Sequence, residues 1–174
     1  SVYLKSKGAG EVAVFTEGAA QGVDVSALRP SVIFGTGDNF FNRFAGLLRL
    51  LLVLPLACPS TRFSPVYVED VVDAFVKLLD NPASVGQSYE LVGPRTYTLK
   101  ELVEYTRQSL GVCRVIYPLS DAGSRLQARI MGLVPGPEKP FSLDNYLSLQ
   151  VDSVAHGENG LQQLGVVPTP VESI

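Results

Sequence analysis

Apolar positions at Val12, Ala13 and Phe15 stand among polar ones over residues 3–17, and Gly18 and Gly22 follow, the pattern of a helix with a glycine stop. The β-branched run VDVSALRPSVIFG (23–35) changes period and predicts a mostly buried strand that ends in a loop at Gly35. Asp38 and Asn39 offer an N-cap for a helix over 40–53. RFSPVYV (62–68) predicts a short strand with Pro65 at its start. In DVVDAFVKLLDN, next along the chain, Val71, Val72, Phe75, Leu78 and Leu79 mark one helical face, and Asp70 reads as its N-cap.

SYELVG (88–93) predicts another strand. Thr98 with Glu101 forms a capping box ahead of LVEYTRQSLG, and Gly111 is placed to end that helix. CRVIYPL (113–119) reads as a strand and 120–134 as a helix, which the three prolines of PGPEKP (135–140) stop. A further helix is expected over 142–151, and Thr169 with Pro170 looks like one more helix start. Strands alternating with helices predict an α/β fold. Two or three core strands are too few for a covered parallel sheet. GTGDNF (35–40) lacks the third glycine of a phosphate loop, so the expectation from pattern alone is an α/β fold that is half present.

Composition narrows the function classes. The chain has 174 residues, is 46% hydrophobic and 18% charged, and so has the makeup of a globular protein. A net charge of −3 gives no electrostatic reason to expect nucleic acid as a partner. Cys58 and Cys113 fit neither a metal-ligand spacing nor a disulfide framework, so no metal and a reducing compartment are expected. His156 is the single histidine and lies in a polar loop, which disfavours a multi-histidine metal site and a Ser-His-Asp triad. The run LLRLLLVLPLAC (47–58) carries Arg49 and Pro55 and is too short to span a membrane; a buried helix running into a loop or strand fits it better.

Tyr3 and Lys7 are four apart, so a helix puts them on one face. An ammonium beside a phenol stabilises the phenolate and brings its proton within reach of acid–base chemistry. The spacing by itself favours a solvated helix face.

The order of later segments adds to this. YLKSKGAGE, LRPSVIFGTGDNFFNRF, RFSPVYVEDVVDAF and SYELVGPRTYTLKELV resemble successive landmarks of the extended and atypical short-chain dehydrogenase/reductase superfamily. Within it the chain is most similar to the branch of the NADPH-carrying accessory subunit of respiratory complex I and its bacterial relatives. The resemblance implies an NAD(P)-binding Rossmann-like domain in its C-terminal portion: residues 1–92 the sheet-and-helix part, 93–174 a smaller substrate-side region. It implies Tyr3 as catalytic tyrosine and Lys7 as the lysine that holds the nicotinamide ribose. Pro30, Ser31 and Val32 would pass the nicotinamide ring, packing on it and offering backbone groups, and Asn39, Phe40, Phe41 and Arg43 would line the region below. The cofactor implied is NAD or NADP, with NADPH favoured. The partners are an unknown small-molecule substrate or a respiratory complex, in a cytoplasmic setting peripheral to an inner membrane. Two readings follow, a hydride-transferring oxidoreductase or epimerase-like enzyme and a non-catalytic accessory or assembly subunit.

The departures are equally specific. The superfamily's catalytic Ser or Thr, its phosphate loop and its NAD/NADP-selecting residue do not match any position here, so this stretch alone is expected to be inactive. Val32 stands where sugar-nucleotide epimerases carry Asn. Phe63 stands where they carry a phosphate-gripping Arg, with Arg62 displaced by one, so a nucleotide-sugar diphosphate is not implied.

Overall fold

The computed structural model describes residues 1–133 and 141–174, so the proline break at 135–140 lies outside the described residues. In chain order the elements are α1 (Val2–Gln21), β1 (Ala27–Pro30), β2 (Ile33–Phe34), α2 (Asn39–Leu50), β3 (Val53–Leu56), β4 (Arg62–Phe63), β5 (Val66–Tyr67) and α3 (Val68–Leu79). There follow β6 (Ser88–Leu91), β7 (Tyr97–Thr98), α4 (Leu99–Ser109), β8 (Val115–Pro118), α5 (Asp121–Gly132), α6 (Leu143–Ser148) and α7 (Gly160–Gln163). They group into two compact units. One comprises Ser1–Tyr3, Gly37–Phe63 and Tyr97–Asp152; the other comprises Leu4–Thr36, Ser64–Thr96 and Ser153–Ile174.

The second unit holds two parallel strand pairs, β1 with β6 and β2 with β5. The run 23–35, expected to be one strand, breaks in two at Pro30–Val32. The Ser31 amide still donates to Leu91 O on the β6 side, whereas Val32 O already accepts from Val66 at the start of β5. The chain changes partner within two residues, and each short strand serves a different neighbour. Val66, Ala74, Leu91, Leu161, Leu164 and Val166 form the core here, with Leu28, Val71, Leu78 and Tyr89 packed against it.

Helix α3 corrects the face expected from its sequence. Val71, Ala74 and Leu78 face the core, while Val72, Phe75, Val76 and Leu79 form an exposed stripe. The helix is apolar on two sides, so periodicity alone picked a mixture of both. Asp70 is also not the N-cap, a place taken by Tyr67. It sits in the first turn, 6% exposed, and accepts hydrogen bonds from the Thr169 amide (2.7 Å) and hydroxyl (2.9 Å). A buried carboxylate is tolerated there because the helix N-terminus and two donors compensate its lost hydration.

In the first unit β3 pairs in parallel with β8, and β4 pairs antiparallel with β7. The run 47–58 passes from helix to strand as expected, α2 ending at Leu50 and the chain re-entering as β3, but it is not buried throughout, since Leu50, Leu52 and Val53 are exposed. Asp38 caps α2 by accepting from the Phe41 amide at 2.6 Å. The Thr98–Glu101 capping box forms, and Gly111 follows α4 at φ 63°. Phe40 meets Phe41, Phe44 and Phe63 at centroid distances of 5.2–5.9 Å. A second core gathers Ala57, Cys58, Ala128 and Tyr146.

Three substitutions test this packing. A Cβ at Gly93 would lie 1.8 Å from Pro65 O, where the Gly93 amide donates to Ser64 O, so Gly93→Ala is expected to destabilise by at least about 2 kcal/mol in chemical denaturation. Asp70→Ala leaves the Thr169 donors without their carboxylate and is expected to cost about 2–3 kcal/mol in the same assay, whereas Val72→Ser on the exposed stripe stays within about 0.5 kcal/mol.

Candidate functional site

Helix α1 carries Tyr3 and Lys7 one turn apart, both on its exposed surface. This helix buries only Gly18, and a Cβ there would meet Val25 Cγ2 at 2.4 Å, so the close approach demands glycine. With so little apolar burial, polar contacts fix the helix. One turn past Lys7, Glu11 accepts from Arg29 Nε (2.9 Å) and Nη2 (2.6 Å) on β1 and from Ser88 Oγ (2.9 Å) on β6. The Arg29 hydrogen bonds, helped by Ser88, hold the Glu11 carboxyl below its ordinary range. Arg29 is committed to this surface pair.

The first turn of the helix is held by a residue that sequence reasoning missed. Asp144, on α6, accepts from the Val2 amide at 2.6 Å and the Tyr3 amide at 3.2 Å, and Ser1 Oγ donates to it at 3.1 Å. The Val2 amide, foremost among these donors, keeps the Asp144 carboxyl low. This is N-capping from a distant element. Within its own helix Asp144 follows the Ser142–Asn145 capping box, and nothing local in the sequence ties it to residues 2 and 3.

Pro30, Ser31 and Val32 come together at the C-terminal end of β1, the end at which ligands bind in open α/β sheets. Their polar groups are largely engaged. The Ser31 amide donates to Leu91 O, Val32 O accepts from Val66, and Ser31 Oγ donates to Ser153 O at 2.6 Å. The exposed Pro30 ring and the half-buried Val32 side chain are what this stretch leaves outward.

Other singled-out residues serve structure. Arg62 pairs with Asp152 through its amide (2.8 Å) and Nε (2.9 Å), the backbone hydrogen bond holding Asp152 below the usual carboxylate range. His156 is exposed, as its polar loop predicted; its amide donates to Glu90 Oε2 at 2.7 Å and its ring lies 3.3 Å from the other oxygen. Cys113 is exposed and Cys58 buried, both as free thiols, and burial raises the Cys58 pKa. Among the described residues no His/Cys/Asp/Glu group has metal-binding geometry, and no helix is long and apolar enough to cross a membrane.

Compared with known proteins, the chain matches no family model. It is 34% identical over 173 residues, 97% of its length, to rat (Rattus norvegicus) NADH dehydrogenase [ubiquinone] 1 alpha subcomplex subunit 9, mitochondrial. The counterpart from Arabidopsis thaliana is 31% identical over 176 residues, 95% of this chain. The chain spans under half of these relatives, 44% of the rat subunit and 42% of the plant one. Among solved structures, NADPH-dependent quinone oxidoreductase from Escherichia coli, in complex with NADPH, aligns with a TM-score of 0.62 at 18% identity, over 89% of this chain and 54% of that one. UDP-glucose 4-epimerase from Thermus thermophilus, in complex with NAD, aligns with a TM-score of 0.57 at 20% identity, over 84% and 54%. By sequence, therefore, the chain is a homologue of a part of the alpha-subcomplex subunit 9 of NADH dehydrogenase, and it shares the fold of the matching part of the quinone oxidoreductase and 4-epimerase structures.

Proposed function

We propose that this chain is the C-terminal portion of a dinucleotide-binding protein of the extended short-chain dehydrogenase/reductase superfamily, with Tyr3 as acid/base and Lys7 as its helper. The observation that supports the reading is that Tyr3 and Lys7 stand one turn apart on the exposed surface of α1. A bound NAD(P) would supply the hydride. On this chain, the Tyr3 hydroxyl exchanges a proton with the substrate oxygen. Lys7 donates to the ribose hydroxyls and stabilises the Tyr3 phenolate electrostatically. Pro30 and Val32 provide the apolar surface against which the nicotinamide face packs. NADPH is the cofactor favoured, and no metal enters the scheme.

A second reading, a non-catalytic subunit in which NADPH is structural and the partner is a respiratory complex, is favoured by the rat and plant relatives. These relatives are named as mitochondrial, so we set aside a cytoplasmic setting in favour of a peripheral position on a membrane that houses such a complex.

Both readings are tested on the full-length protein. Tyr3→Phe is expected to reduce turnover by at least about 100-fold while the dinucleotide stays bound, and Lys7→Ala to weaken dinucleotide binding itself. Tightly held NADPH without any substrate-dependent absorbance change selects the accessory subunit. Undiminished turnover in Tyr3→Phe removes the tyrosine from the mechanism.

A further inference from the structure

Tyr3 stands in the first turn of α1, where amides have no carbonyl of their own helix to donate to. Its side chain is 55% exposed and α1 buries only Gly18, so apolar burial contributes little to seating this turn. A carboxylate seats it instead. Asp144 Oδ1 accepts from the Val2 amide at 2.6 Å and Oδ2 from the Tyr3 amide at 3.2 Å, one oxygen to each of two successive peptide planes. Ser1 Oγ donates to Oδ2 at 3.1 Å, and Ser148 Oγ, one turn further along α6, lies 2.8 Å from Ser1 Oγ. All of these residues belong to one compact unit.

Asp144 is itself rooted. The Ser142–Asn145 capping box fixes the start of α6. Tyr146, two residues on, is buried with Ala57, Cys58 and Ala128, and its hydroxyl donates to Asp121 Oδ1 at 2.6 Å. The carboxylate therefore reaches Tyr3 from an element tied to a core. The Val2 amide, ahead of the other donors, holds the Asp144 carboxyl below its ordinary range, so it is ionised at neutral pH and accepts as an anion.

A side chain that spans two successive amides fixes the Tyr3 Cα and with it the reach of the phenol. Reach decides rate, because proton transfer requires hydrogen-bond distance and a misplacement of about 1 Å can cost about 100-fold. We infer that Asp144 is a positioning residue for Tyr3, holding it from α6 across 141 residues of sequence. Asp144 acts through the first turn of α1 alone, without contact with the reacting atoms. This inference deepens the proposed function and rests on its assignment of Tyr3 as acid/base.

The test uses the full-length protein loaded with NADPH, and amide exchange over residues 1–6 is read first. Asp144→Ala should speed it about tenfold while exchange over 11–18 stays within about twofold. Asp144→Asn, which keeps one carbonyl oxygen to accept an amide, should fall between Asp144→Ala and the wild type. Oxidation of NADPH with phenanthrenequinone as the carbonyl probe gives the second readout. There kcat should fall about tenfold in Asp144→Ala and about threefold in Asp144→Asn, with NADPH affinity unchanged within about twofold. Adding Asp144→Ala to Tyr3→Phe should cost nothing further, because both changes act through one phenol. Unchanged exchange over 1–6, or wild-type kcat in Asp144→Ala while Tyr3→Phe is impaired, would overturn the proposal. A further loss in the double variant, or kcat and NADPH affinity falling together, would make Asp144 a structural residue only and overturn it too. Wild-type turnover in Tyr3→Phe, or none in the parent protein, sinks the proposed function itself, and the positioning role falls with it even where exchange shows that Asp144 holds the turn.

Discussion

The Glu11 carboxylate takes both Arg29, from β1, and Ser88, from β6, and so sets where helix α1 lies on the parallel strand pair. An ordinary amphipathic helix would be placed by its apolar face. Here one residue of twenty is buried, and it is a glycine, so dispersion and area burial contribute little. A bidentate Arg–carboxylate pair is directional, which suits positioning better than stability. Exposed as it is, the pair is worth on the order of 1 kcal/mol, enough to select one position of the helix but too little to hold the fold together. Stability comes instead from the aliphatic cluster around Val66, Leu91 and Leu161 and from the buried Asp70–Thr169 contact.

Parallel strands end in a loop edge where backbone groups run out of partners. At Pro30–Val32 the chain changes neighbour, and the sheet absorbs the Ser31 amide and the Val32 carbonyl. What is left outward is apolar surface, suited to a ring that stacks. The hydrogen-bonding burden passes to α1, whose first turn is completed by Asp144 and whose third is held by Glu11.

Much of this was legible in the sequence wherever the signal was local. The Thr98–Glu101 capping box, the Gly111 stop, the Asp38 cap and the passage from helix to strand over 47–58 all formed as read, because each depends on residues within a turn or two. The α/β class followed from the alternation of periods. What could not be read were polar contacts between distant residues: Glu11 with Arg29, Asp70 with Thr169, and Asp144 with residues 2 and 3. Hydrophobic periodicity says which side chains want cover but not which polar atoms meet. On α3 it failed for another reason, since two apolar stripes on one helix leave the buried one undetermined until the strands are in place. The YxxxK spacing was ambiguous alone and gained meaning only from the ordered segments after it.

The account turns on α1 being positioned by polar contacts. Backbone hydrogen exchange of the protein carrying Glu11→Gln measures this directly. Amides along α1 should exchange about fivefold faster than in the wild type while those of β6 keep their protection, as expected for losing about 1 kcal/mol of local stability. Unchanged exchange along α1 would show that the helix is held by something other than Glu11 and would contradict the account.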